Sequence, residues 1–231
     1  MDLMDKIYID CPFYGSRRML IELSKSGYDV NRKRIQRLMR VMGLEAIYPK
    51  PRTTIMCPQN KKYPYLLRGM VIDQPNQVWA ADITYVRAMG GFFYLVALID
   101  WYSRYVLSWQ LSNTLESSFC VHALHEALER YGQPEIFNTD QGVQFTDRDF
   151  TAVLEERQIR ISMDGRGRAL DNVFIERLWR SFKYEDMYLK EYRNGRHASS
   201  CISNYMTFFN ERRPHQGLDY RTPAEVYAGS V

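Results

Sequence analysis

The stretch Phe92–Ile99, FFYLVALI, restricts the fold of this chain more than any other feature. Eight unbroken apolar residues are too few to span a bilayer, which takes about 20 in a helix. They suit a buried strand. Its neighbours share the extended pattern: Gln77–Arg87 precedes it across the turn Met89-Gly90-Gly91, and Tyr105–Leu111 follows. The period then changes. A helix is expected over Leu115–Tyr131, capped by Thr114, with Cys120, Leu124, Ala127, Leu128 and Tyr131 on its apolar side. A strand Glu135–Thr139 comes next. Thr146 and Asp149 have the spacing of a capping box for a helix to Arg157. Arg160–Met163 reads as a strand, Gly165 and Gly167 as a loop, and Asp171–Lys183 as a helix that Asp171 caps. A last helix, Ala198–Arg213, is stopped by Pro214. Three strands, then helix, strand, helix, strand, helix, make an α/β sheet with a meander at one edge.

The residues before this pattern are of another kind. Ser16–Lys25 and Arg32–Met42 read as two short helices, joined by the turn Ser26-Gly27-Tyr28. Asn31 is positioned to cap the second helix and Gly43 to end it. Ile35, Leu38, Met39 and Met42 form its apolar stripe, and Arg32, Lys33, Arg37 and Arg40 lie opposite. That pattern fits a helix-turn-helix that binds DNA, and also a helical hairpin with a solvated basic face. Charge separates this part from the rest: residues 1–60 carry +5, and the remainder −1. Such asymmetry suits a polyanion-binding module beside a nearly neutral body. Pro49, Pro51, Pro58, Pro64 and Pro75 punctuate what lies between, with Lys61-Lys62 among them, as in a linker.

Several classes are excluded. Cys11, Cys57, Cys120 and Cys201 have no paired spacing, which argues against a disulfide framework and a zinc site. His122 and His125 lack further nearby zinc ligands. The opening MDLMDKIYID has no export pattern, and no membrane role is expected.

Three carboxylates stand where strand and helix ends can meet. Asp82 interrupts a strand that reads as central, which is costly for an aspartate unless it is paired or metal-bound. Asp140 ends a strand and precedes Gln141-Gly142, in the region where ligands gather in α/β sheets. Glu176 shares a helix side with Arg180 and Lys183, beside the apolar stripe Ile175, Leu178, Trp179 and Phe182. Phosphodiester chemistry needs an activated oxygen nucleophile and a stabilised departing oxygen. Two divalent metals on hard oxygen ligands supply both, while Arg180 and Lys183 suit phosphate. The same residues also read as a strand-end cap, an Asx turn and an i, i+4 ion pair. Asp100 reads as a strand-end organiser, and Trp101, Tyr102 and Arg104 as packing or DNA contacts. Arg212-Arg213-Pro214-His215 reads as a helix stop or a DNA backbone contact.

The segments PNQVWAADITYV, LIDWYSRYVLSW, NTDQGVQFT, SMDGRGRALDNVFIERLWRSFKYE and FFNERRPHQGLDYRTPAEVY resemble the integrase-type DDE transposases of bacterial insertion sequences. The closest likeness is to the IS-three group, whose catalytic part is encoded in a second reading frame within the retroviral integrase superfamily. Residues 14–50 resemble the helix-turn-helix block that precedes that core. The family signature is Asp, Asp, 35 residues, Glu, and 35 residues separate Asp140 from Glu176. A basic residue follows the glutamate by seven positions, as Lys183 does here.

The resemblance implies a ribonuclease-H-like core with a mixed five-stranded sheet flanked by helices, preceded by a small all-α module. It divides the chain into a helix-turn-helix at 1–48, a linker at 49–75, the core at 76–190, and a C-terminal helix and tail at 191–231. It implies strand cleavage and strand transfer at element ends, with Asp82, Asp140 and Glu176 holding two Mg²⁺ or Mn²⁺ ions. Arg180, Lys183, Arg32, Lys33, Arg37 and Arg40 would contact DNA. Expected partners are DNA, further copies of the chain and an upstream-frame protein needed for full activity. The expected location is the bacterial cytoplasm, at the nucleoid. The alternatives are a catalytically silent accessory subunit and a purely hydrolytic nuclease.

Overall fold

The protein, represented by a computed structural model, is described over residues 1–47, 63–164 and 172–229. It divides into two units, Met1–Cys57 and Pro58–Val231. Gly165, Gly167 and Asp171 lie outside the described residues, as do Cys57, Lys61, Lys62 and the prolines at 49, 51 and 58.

Among its described residues the first unit contains three helices: α1 (Asp2–Asp10), α2 (Ser16–Lys25) and α3 (Arg32–Val41). The sequence reading has no counterpart to α1, although Leu3, Met4, Ile7 and Tyr8 recur there at helical spacing. Met4 completes a small core with Met19, Leu23, Ile35 and Met39. Asn31 caps α3 as expected, its side chain accepting from Arg34 N.

In the second unit a mixed five-stranded sheet runs in the order β3-β2-β1-β4-β5. Its strands are β1 (Val78–Ala88), β2 (Gly91–Asp100), β3 (Val106–Ser112), β4 (Ile136–Thr139) and β5 (Arg160–Met163). The first three are antiparallel neighbours, and β4 and β5 join in parallel. Gly90, at φ 84°, takes the left-handed conformation in the tight β1–β2 turn. Both faces of the sheet are covered, which explains the unbroken apolar run in β2. One face packs α4 (Ser118–Tyr131) and α6 (Arg148–Glu156) against Trp79, Val96, Leu98 and Phe137. The other packs α7 (Val173–Phe182) and α8 (Gly195–Glu211) against Val78, Ala80, Ala97 and Ile136. Residues 63–75 have no regular structure, yet Leu67 is buried in this second core.

Two expected caps differ. Thr114 does not cap α4, which begins at Ser118 after Ser117 with no side-chain cap. Thr146 ends an additional short helix, α5 (Val143–Thr146), where its hydroxyl donates back to Gly142 O. Asp147 caps α6 instead, accepting from Asp149 N. A π-helical turn, Lys183–Met187, continues α7, and α9 (Pro223–Tyr227) follows α8 with a true capping box between Thr222 and Glu225.

Candidate active site

Asp82 lies in the middle of β1, the central strand. Strand side chains alternate between faces, and Asp82 shares parity with Val78 and Ala80, which pack toward α7 and α8. In the parallel β1–β4 pairing Ala80 is opposite Asn138. Continuing that register by two residues sets Asp140, just past the end of β4, beside Asp82 and on the same face. The parallel pairing of β1 with β4 therefore brings together two acids 58 positions apart in the chain.

Each aspartate is oriented by its surroundings. Asp82 accepts from Ile83 N at 2.8 Å through one oxygen and from the Trp179 indole Nε1 at 2.9 Å through the other. Burial raises its pKa to about 6, offset by the Ile83 bond and reinforced by repulsion from Asp140. The Trp179 bond lowers it and Glu176 adds further repulsion. Asp140 accepts from Gly142 N at 2.9 Å, an Asx turn. Desolvation pushes its carboxyl upward against that bond. Gly142 is needed for close approach: a Cβ there would lie 2.8 Å from Asp140 Oδ1. Behind the turn, Asn138 Nδ2 donates to Asp164 Oδ1 at 2.8 Å and Gln141 Nε2 to Asp164 O at 3.0 Å, tying β4 to the end of β5.

Glu176 comes from α7. Ile175, Leu178, Trp179 and Phe182 bury the opposite side of this helix. Each contributes about 1.5–3 kcal/mol by leaving water, so the helix is fixed in rotation. Trp179 anchors it to Asp82, and Glu176, three residues earlier, is exposed on the adjoining side. No ion pair joins Glu176 to Arg180 among the described residues. The three acids share one field without forming a finished cage. Among the described residues, no three His, Cys, Asp or Glu side chains stand close enough to hold an ion. The donor set is nonetheless all hard oxygen, and Asp82 is charged only against burial and two like charges. Such a site fits a divalent cation. In the sequence Trp179 reads only as part of the apolar stripe. The signal for its second role is that a buried indole needs a partner for its N–H.

The other candidate residues are distributed as follows. Arg180 is exposed on α7, as is Arg177, and Lys183 opens the π-helical turn that continues the helix. Arg32, Lys33, Arg37 and Arg40 are all exposed on α3, and Arg32 donates to Ser16 Oγ at 3.3 Å. Asp100 is fully buried and organises the strand end, accepting from Ser103 N, Ser103 Oγ and Asn76 N. Trp101 packs edge-on against Phe174. Arg213 makes a bidentate pair with Glu185, at 2.8 and 2.6 Å, which is a structural clamp. His122 and His125 join no metal-binding group among the described residues.

The integrase core domain family matches residues 72–169, and a second integrase core description matches residues 157–223. An HTH-like domain matches residues 1–52. The transposase for insertion sequence element IS904 of Lactococcus lactis subsp. lactis (strain IL1403) is 31% identical, over 92% of this chain and 86% of the relative. The transposase for insertion sequence element IS629 of Shigella sonnei is 30% identical, over 92% and 73%. Transposase InsF for insertion sequence IS3A of Escherichia coli (strain K12) is 30% identical, over 92% and 76%. Among solved structures, the catalytic core domain of BIV integrase superposes with a TM-score of 0.53 at 18% identity, covering 67% of this chain and 95% of that one. A chain of the simian T-cell lymphotropic virus intasome gives 0.51 at 18%, covering 69% and 58%. At that identity the likeness is one of fold.

Proposed function

This chain belongs to the insertion-sequence transposases with an integrase core domain, and we propose that Asp82, Asp140 and Glu176 are the acids that carry its chemistry. It is a polynucleotidyl transferase with a helix-turn-helix unit for DNA. The observation that supports the acid assignment best is the β1–β4 register that sets Asp140 beside Asp82, with Asp82 in the repulsive field of both Asp140 and Glu176. The 35-residue interval between Asp140 and Glu176 supports it further.

In this reading Asp82, Asp140 and Glu176 would hold two Mg²⁺ or Mn²⁺ ions, their carboxylates supplying hard oxygen ligands. Bound there, the ions would help activate the attacking oxygen and stabilise the departing 3′ oxygen of a phosphodiester. The chain's own groups do the positioning. Trp179 N–H and Ile83 N–H hold the two Asp82 oxygens apart in a fixed orientation, and Gly142 N–H holds Asp140. Glu176 completes the set from α7. Arg180 and Lys183, one turn and two turns along, receive phosphate. The reaction proceeds in two exchanges. Water displaces a 3′ oxygen, leaving a 5′-phosphate and a free 3′-hydroxyl. That hydroxyl then attacks a second phosphodiester, expelling another 3′ oxygen and joining the strands.

Arg32, Lys33, Arg37 and Arg40 are proposed to contact DNA from α3, through the phosphate backbone or the groove. Two element ends must be joined, so the working form is a homo-oligomer on DNA. An upstream-frame protein is its proposed partner and the bacterial nucleoid its place of work. No helix among the described residues is long and apolar enough to cross a membrane. The test is cleavage and strand transfer on DNA carrying the element ends, with Mg²⁺ or Mn²⁺ and an EDTA control. Asp140→Asn should abolish both products while leaving end binding in place. Equal activity of the variant would overturn the assignment.

A further inference from the structure

The groove between α7 and the segment that follows α8 shares Arg180 with the proposed acidic site, and its other walls have no role there. It has a volume of about 720 Å³ and draws its walls from Phe174–Glu185 and from Phe209–Tyr220, with Arg104 at its base. Its charge is one-sided: Arg104, Arg177, Arg180 and Arg213 line it against Glu185 alone among the acids. Glu185 is already committed to Arg213, so three guanidiniums face the groove without a carboxylate bonded to them among the described residues. Arg104 is held over the Phe174 ring at 3.2 Å. Burial lowers its pKa to about 10; attraction to Asp100 opposes this, and repulsion from Arg177 adds to it. A partly buried Arg104 beside the exposed Arg177 and Arg180 makes a cluster that calls for an anion.

The groove is also aromatic. Tyr184 and Tyr220 line it and are 66% and 70% exposed; Tyr184 also meets Tyr188 edge to face, at 5.3 Å between ring centres. Tyr220 and Arg104 hold left-handed backbone conformations, at φ 63° and 67°. For residues of this size that conformation is strained. Strain of this kind is retained where it aims a side chain.

We propose that this groove binds an unpaired DNA strand, with Arg177, Arg180 and Arg104 on its phosphates and Tyr184 and Tyr220 stacked on its bases. Duplex DNA presents phosphates but keeps its base faces stacked inside, so it would leave both tyrosines unused. A single strand offers both partners at the spacing of successive nucleotides. Helical geometry turns Arg177 and Tyr184 to one side of α7 and Trp179, which touches Asp82, to the other. Arg177 follows Glu176 directly in the chain and Arg180 comes one turn later, so this wall of the groove begins next to the third proposed acid. The proposal rests on the chain being a DNA transferase, and not on which carboxylates are catalytic.

The test measures binding of a labelled single-stranded oligonucleotide and of its duplex to the full chain by anisotropy, in EDTA. Carboxylate chemistry is silent there, so failure of the acid assignment does not affect the result. Tyr184→Ala and Tyr220→Asn should each weaken single-strand binding by about fivefold or more. Asparagine is chosen because it tolerates the left-handed backbone. Duplex binding should change less than about twofold, since no base stacking is lost. Tyr184→Trp should retain the single-strand affinity that Tyr184→Ala loses, because an indole stacks as well. Arg177→Ala should reduce the salt slope of single-strand binding by about 0.7. Unchanged single-strand affinity in Tyr184→Ala and Tyr220→Asn, equal losses on duplex, or a loss in Tyr184→Trp as large as in Tyr184→Ala would each overturn the proposal.

Discussion

Asp82 is placed against its own charge. Its carboxyl, with an ordinary value of 3.8, is raised to about 6 by burial and by its acidic neighbours. Between those values the folded chain binds more protons than the unfolded one, so stability present below pH 3.8 is lost as pH rises through about 6. Asp82→Asn should therefore stabilise the metal-free protein at about pH 7.5, by about 1–3 kcal/mol, and the gain should vanish near pH 4. Thermal unfolding in EDTA across that range checks it. A difference independent of pH would show that the asparagine acts through packing. Adding Mg²⁺ should raise the wild-type melting temperature and move the variant much less, because the variant lacks the Asp82 carboxylate that would hold the ion with Asp140 and Glu176. Gly142 poses the opposite problem, one of space. Its φ of −62° and ψ of 150° suit any residue, so Gly142→Ala should fold normally. The new Cβ would meet Asp140 Oδ1 at 2.8 Å and must turn that carboxylate aside. Strand transfer should fall by about 10- to 100-fold, the cost of misplacing a catalytic group by about 1 Å, with the melting temperature within a few degrees of wild type.

At the scale of the element, legibility depends on length and period. The buried run in β2, the alternation of β1 and the stripes of α2, α3 and α7 are long patterns, and the structure follows them closely: Ser16–Lys25 and Arg160–Met163 form over the expected residues. Caps are single hydrogen bonds set by local backbone. Thr114 and Thr146 suit a cap by residue type, but the helices start at Ser118 and Arg148. Asn31 does cap its helix, because a clear stripe follows it at once. The acids are visible as a set only through the family interval. Their approach depends on the β1–β4 register and on Trp179, neither of which local sequence encodes. Asn31 gives an element-scale prediction. Asn31→Ala removes the acceptor for Arg34 N and should destabilise the first unit by about 1 kcal/mol. Hydrogen exchange should quicken at the α3 amides, while β1 and β2 amides keep their protection. Faster exchange in both units would mean that the two unfold together.

At the scale of the molecule, the charge carried by residues 1–60, +5 against −1 for the remainder, divides the labour. In the proposed assignment a near-neutral body gathers three carboxylates where DNA would be cut, and their charge opposes its phosphates. A separate basic unit supplies affinity beyond what Arg180 and Lys183 would provide beside the acids. The binding and the chemistry should then be separable by mutation. Replacing Arg32, Lys33, Arg37 and Arg40 with alanine removes four exposed charges from α3 while sparing the buried Ile35 and Met39. Counterion release predicts that the salt slope of duplex binding flattens by about 0.9 for each residue that contacts a phosphate, and by about 3.6 if all four do. The Mg²⁺-induced rise in melting temperature should persist, since in the proposed assignment that response rests on Asp82, Asp140 and Glu176. A variant that keeps the wild-type salt slope would move the duplex-binding face away from α3. A variant that loses the magnesium response as well would show that the basic unit contributes to the acidic site itself.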